Sequence, residues 1–220
     1  MNSKNLRIFY WVICGLMVIL CVHLEWSRVK GNDELKTTAT VTQSAQTVQA
    51  DSVTQAGDSA HMRTPIDWHK SSETVPYPDL KTVKNFWIKV SLKHNRTYLY
   101  DGSKLLYTMY STGGMYQKDP QTGQMKSMTP TGTFYAQAER GDTFFNQSLN
   151  EGANYWVSWK DHGTYLFHSV PTEAGGAYNA KEAAKLGKST GSHGCIRLSI
   201  PDAKWMAANL PVGTKIVIQD

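Results

Sequence analysis

A mainly β, sandwich-like fold with a few short helices is predicted for residues 85–220 of this 220-residue chain. Two observations predict it: short apolar stretches recur with a period of two, and Gly, Pro and Asn punctuate them. The 17 glycines and moderate apolar content agree with one compact β-rich core.

The first strand is Phe86-Trp87-Ile88-Lys89-Val90-Ser91-Leu92, where every second residue is apolar, as in a strand with one buried face. Tyr98-Leu99-Tyr100, Asp101-Gly102 and Leu105 to Tyr110 read as a hairpin, because Asp-Gly supplies the positive φ of a tight turn. Further strands are expected at Gly132 to Tyr135, Tyr155 to Trp159, Thr164 to Phe167 and Thr214 to Gln219. Two helices fit beside them. One runs from Asn179 to Leu186 and is closed by Gly187; the other follows Ser199, with Pro201 early and Asp202 three residues after the cap.

Ahead of this body the chain divides into four parts. Residues 1–7 are a basic lead. Residues 8–26 contain an uncharged apolar run from Ile8 to Leu24, short but sufficient for a transmembrane helix, with Trp26 as an interfacial anchor. No small-x-small cleavage site follows, so an uncleaved signal anchor is favoured over a removed signal or a lipid anchor at Cys21. Residues 27–60 are a Thr/Gln/Ser/Ala tether with too few apolar side chains to offset the entropy of ordering. Residues 61–84, with Pro65, Pro76 and Pro78, read as an irregular approach segment.

The net charge of +5 falls wholly within residues 61–220, where the lysines are scattered rather than run together. Nucleic acid finds no signature here. Cys14 and Cys21 sit inside the apolar run, which leaves Cys195 as a lone thiol and excludes a disulfide framework in the body. A lone thiol outside the cytoplasm is either buried or reactive. Cys195 is flanked by His193 and Gly194, with Ser192 and Arg197 close by, rather than by a run of aliphatics, which favours reactivity. A thiol needs a nearby imidazole to act as a nucleophile at neutral pH. His193 and His168 are the candidates, and His168, ending an apolar strand, is the better one because a fold can bring it across. Gly194 would let the backbone turn its amides toward a developing oxyanion. Zinc on His162, His168, His193 and Cys195 is disfavoured by irregular spacing. The Trp and Tyr content is read as core and sheet surface.

Ser192-His193-Gly194-Cys195-Ile196-Arg197-Leu198, preceded by Phe167-His168-Ser169-Val170-Pro171 and by Thr129-Pro130-Thr131-Gly132-Thr133-Phe134, resembles the catalytic region of the L,D-transpeptidases (the YkuD-type domain). Trp87 to Val90, Ser111-Thr112-Gly113, Asp202-Ala203 and Gly213-Thr214 match further blocks of that family. The resemblance implies a cell-wall enzyme on the outer side of the membrane. Cys195 would attack the carbonyl between the third residue of a tetrapeptide stem and D-alanine, and an acceptor amine would then take the acyl group to form a three-to-three cross-link. Water as acceptor would make the enzyme an L,D-carboxypeptidase. A membrane-tethered wall-binding module with an incidental thiol is the non-enzymatic alternative. By matching position His168 is the base and the Ser169 carbonyl orients it, while His193, Gly194 and Ser192 shape the pocket and oxyanion site. Arg197 and Tyr155 are taken with Ser192 as substrate contacts. No cofactor or metal is implied. The stretch from Ser169 to Gly191 is longer than in many members, which suggests a lid or an acceptor-side wall.

Overall fold

The computed structural model describes residues 58–220; the predicted lead, anchor and most of the tether lie outside the described residues. Among the described residues no helix is long and apolar enough to cross a membrane. The elements are β1 (Phe86–Ser91), β2 (Arg96–Asp101), β3 (Lys104–Thr112), β4 (Tyr116–Lys118), β5 (Met125–Ser127), β6 (Gly132–Tyr135), β7 (Arg140–Asn146), β8 (Glu151–Lys160), β9 (Tyr165–Ser169), α1 (Ala180–Ala183), β10 (Ile196–Leu198), α2 (Ile200–Asn209) and β11 (Lys215–Gln219).

Nine strands form one sheet in the order β6-β11-β1-β2-β3-β10-β9-β8-β7, and β4 pairs with β5 apart from it. The sheet curls, so that Phe134 of β6 meets Trp159 of β8 edge-on with ring centroids 5.0 Å apart. The mainly β body expected is thus made by one curled sheet closing over its own apolar face, where a sandwich would use two packed sheets. The period of two is visible in β1, where Ile88 and Val90 are fully buried while Trp87 and Lys89 are not. Trp159, Phe167, Ile196 and Leu198 join the same core. Each such side chain contributes about 1.5–3 kcal/mol when withdrawn from water.

α2 closes the core against β8 and β9 through Ala203 and Met206, which are fully buried. It starts where expected: the Ser199 hydroxyl accepts from the Asp202 N–H, 3.2 Å, and satisfies one of the unpaired amides of the first turn. The other predicted helix is shorter. α1 covers only Ala180–Ala183, capped by the Asn179 side chain accepting from Glu182 N–H, and tight turns carry the chain on to Gly187. Strands β4, β5, β7 and β10 had no counterpart in the sequence reading.

Residues 58–84 hold one turn of 3-10 helix, Leu80–Thr82, and no strand, and they belong to the folded body. β3 pairs with β10 only at Ser111 and Thr112, which leaves N–H groups farther back on its edge. Side chains of the approach segment satisfy them: Glu73 Oε1 accepts from Thr108 N–H (2.6 Å) and Ser72 Oγ from Tyr110 N–H (2.8 Å). The Ser72 hydroxyl in turn donates to the buried carboxylate of Asp202, and the Tyr77 hydroxyl does the same at 2.7 Å. Met62, Ile66 and Trp68 pack with Tyr110, Val170, Ala183 and Leu186 as a second small core, so this segment supports the 169–191 stretch. An Asp202→Ala exchange is therefore expected to leave two hydroxyls and a backbone N–H without their acceptor. At about 1–3 kcal/mol for a buried donor left unpaired, the loss should show as a lower denaturant midpoint.

Candidate active site

β9 and β10 run side by side and parallel, with Phe167 opposite Ile196, His168 opposite Arg197 and Ser169 opposite Leu198. Side chains alternate across a strand, so Phe167 and Ile196 enter the core while His168 and Arg197 lie on the other face. Continuing that register puts Cys195, just before β10, beside Leu166 and diagonally next to His168. All three line one cavity of about 450 Å³, together with Phe144, Asn146, Glu151, Trp156, Ser192 and His193.

The turn that presents Cys195 is built by its neighbours. Gly194 has φ +131, and a Cβ there would come within 2.8 Å of the Tyr165 ring and 3.0 Å of the Met128 carbonyl oxygen. Only glycine meets both demands. The buried Ser192 hydroxyl donates to the Cys195 carbonyl (2.6 Å) and accepts from Gly194 N–H (3.1 Å), while Thr129 Oγ1 donates to the Gly194 carbonyl (2.8 Å). The Gly194 amide is thus held by Ser192, and the residue's part in the site is to let the chain turn at Cys195.

His168 is 2 % exposed, and Phe144 sits edge-on to its ring, centroids 5.5 Å apart. Its Nδ1 lies 2.6 Å from the Ser169 carbonyl. A carbonyl only accepts, so Nδ1 carries the hydrogen and Nε2 is left as a bare lone pair. Burial, and next the Arg197 guanidinium across the ladder, push the imidazole down to about 3, against the Ser169 carbonyl, which favours the cation. Cys195 is half-buried, and its sulfur lies 3.6 Å from the Thr164 carbonyl oxygen. Burial pushes the thiol up to about 11; the Leu166 backbone and Arg197 oppose this, and Glu151 reinforces it.

The resting pair is consequently an uncharged thiol and an uncharged imidazole. Acylation by a carbonyl compound is expected to be nearly flat between about pH 5 and 8, with no inflection near 6.5, because the base stays neutral through that range. Alkylation by iodoacetamide, which requires free thiolate, should instead rise about tenfold per pH unit over the same range. Time courses of adduct mass against pH check both.

Ser169 serves through its carbonyl; its hydroxyl donates to the Val170 carbonyl (2.7 Å) and accepts from Asn154 N–H (3.0 Å). His193 is exposed at the cavity wall. Two expected substrate contacts are placed otherwise. Arg197 is 1 % exposed, and its guanidinium binds Glu151 at 2.6 and 2.8 Å and Glu182 at 2.8 Å, so it braces the site from behind. Tyr155 lines a separate hollow with Arg140 and Lys204, because alternation along β8 turns its neighbour Trp156 toward the cavity instead. Gly141, opposite Trp156, leaves room for the indole: a Cβ there would be 2.7 Å from Nε1. Sequence reasoning missed Glu151, Trp156 and Phe144; the pair of β7 and β8 that carries them was itself only half seen. Among the described residues no three His, Cys, Asp or Glu side chains converge as metal donors.

A buried imidazole with a bare nitrogen, facing the same cavity as a lone thiol, is the arrangement that cysteine-nucleophile enzymes use. The family model of the YkuD-type L,D-transpeptidase catalytic domain matches residues 85–218, and the chain belongs to this family of peptidoglycan-acting enzymes. It is 48% identical over 156 residues to YciB of Bacillus subtilis (strain 168), a protein named provisionally as an L,D-transpeptidase; the match covers 71% of this chain and 76% of that one. Among solved structures, a fused Zn-dependent amidase/peptidase/peptidoglycan-binding domain protein from Clostridium acetobutylicum ATCC 824 is 31% identical, with a TM-score of 0.44 over 62% of this chain and 52% of its own. An L,D-transpeptidase from Mycobacterium smegmatis is 21% identical, with a TM-score of 0.46 over 62% and 59%. The chain thus spans little more than half the length of these two structures.

Proposed function

We propose that the protein joins peptidoglycan stem peptides by three-to-three cross-links, through an acyl-enzyme on Cys195. The observation that carries this reading is the bare Nε2 of His168 in the cavity that holds the thiol. As the sulfur bonds to the carbonyl between the third stem residue and D-alanine, the thiol proton passes to Nε2. A base this weak takes the proton only as the sulfur–carbon bond forms, so the transfer is concerted with attack. The imidazolium keeps its Nδ1–H on the Ser169 carbonyl and gives the new proton to the departing nitrogen; the C–N bond breaks, D-alanine leaves and a thioester remains. An acceptor amine then attacks the thioester carbonyl. Its proton returns through His168 to the sulfur, an amide is formed and the thiol is restored.

Residues 8–26 are read as a signal anchor holding the domain on the outer face of the membrane, a reading supported by the basic lead and the uncharged run. The test is mass spectrometry of products after incubation with a tetrapeptide stem and an acceptor amine. Cross-linked dimer with released D-alanine is the expected result. Tripeptide alone at saturating acceptor would identify a carboxypeptidase instead, and wall binding without turnover a non-catalytic module.

A further inference from the structure

Glu151 is the one carboxylate among the residues lining the Cys195 cavity, and no Lys or Arg lines it. Of the two imidazoles there, His168 is held neutral. Among the lining residues the one formal charge is therefore that of the Glu151 carboxylate. That charge is fixed in place: Arg197, 1 % exposed, grips both Glu151 oxygens from behind and spends its other terminal nitrogen on Glu182 of α1. One guanidinium thus serves two carboxylates, and the ammonium that balances the second, Lys185, lies at the α1 end, 2.6 Å from Glu182. A carboxylate has about four lone-pair positions, so two N–H bonds leave capacity, and the Glu151 side chain remains 24% exposed. Its field also reaches the sulfur, since it is among the groups that raise the Cys195 thiol.

We infer that Glu151 is the recognition point for the protonated primary amine of the acceptor, oriented by Arg197 and, through Glu182, by the 169–191 stretch. This deepens the reading above and rests on it. An ammonium drawn to this carboxylate is delivered into the same cavity as the thioester, and it becomes the nucleophile once it has passed one proton to water. The donor half-reaction makes no use of Glu151. Removing its charge takes away an influence that raises the thiol, so acylation should hold or quicken.

The experiment compares two acceptors of equal length on the full chain, an alkylamine that is cationic at neutral pH and an alkoxyamine that is not, in the parent and in Glu151→Gln. Acyl-enzyme is followed by intact mass, and each acceptor's apparent KM by dimer formation. The expected result is a KM for the alkylamine raised about tenfold in Glu151→Gln. The KM for the alkoxyamine should change by much less, and the acylation rate is followed alongside so that any fall in it is separated from the effect on the acceptor's KM. Unaltered KM for both acceptors overturns the inference while leaving the acyl-enzyme intact, as does loss of acylation at an unchanged melting temperature. Absence of acyl-enzyme in the parent overturns the functional reading itself. Should Glu151→Gln melt early and fail to acylate, Glu151→Asp decides: a retained preference for the alkylamine supports the inference, and a lost preference in an acylating Glu151→Asp protein refutes it.

Discussion

Exchange of His168 for Asn is expected to slow acyl-enzyme formation by about 10²–10⁴-fold. Asn can still donate to the Ser169 carbonyl, and it is small enough for the pocket beneath Phe144, so the loss isolates the missing basic nitrogen. The control is alkylation of Cys195 near pH 11. At that pH the thiol ionises without help, and the variant should react at the parent's rate. A pair of rates that fell together would point to a disturbed cavity rather than a missing base. Burial accounts for the size of the dependence. A sulfur whose proton is held to about 11 has almost no thiolate at neutral pH, so attack without a base starts from a very small population.

Exchange of Arg197 for Met is expected to be the most damaging change to stability, by about 3–5 kcal/mol, because it leaves Glu151, 24% exposed, without its counter-ion and Glu182, 21% exposed, with Lys185 alone, around an empty guanidinium site. On a body of this size that corresponds to a melting temperature lower by about 10 °C. The same change removes a positive charge facing both reacting groups. His168 should then rise from about 3 and the Cys195 thiol should move further up, since Arg197 lowers each of them. Differential scanning calorimetry measures the first effect. The alkylation profile, displaced to higher pH, reports the second. Arg197→Lys should recover only part of either, because an ammonium cannot span both glutamates in the way the planar fork does.

The parts of this site that were legible in the sequence are those encoded within a few residues. Cys195 stood out through its flanking Ser192, His193 and Gly194. His168 stood out by ending an apolar strand, and the capped start of α2 was written in Ser199, Pro201 and Asp202. What escaped was set by tertiary pairing. The bonds from Arg197 to Glu151 and Glu182 cross 46 and 15 residues, and nothing in the local sequence around Glu151 announces them. β7 was missed because Phe144 and Phe145 are adjacent rather than alternating, on a strand paired along one side only. Tyr155 failed by parity: in a strand, an error of one position sends a side chain to the opposite face, and Trp156 holds the place expected of it. Likewise the fixing of residues 58–84 on β3 depends on Ser72 and Glu73 reaching backbone amides more than thirty residues away, which prolines and polar composition alone cannot reveal.

The central claim is that the Cys195 sulfur, relieved of its proton by His168, carries the acyl group. Intact-mass measurement of the parent and of Cys195→Ala after exposure to a carbapenem-type β-lactam, an acylating mimic of the D-alanyl bond, tests it most directly. The account predicts a single stoichiometric adduct on the parent and none on the variant. An adduct that persists in Cys195→Ala, or a parent that remains unmodified, would contradict it.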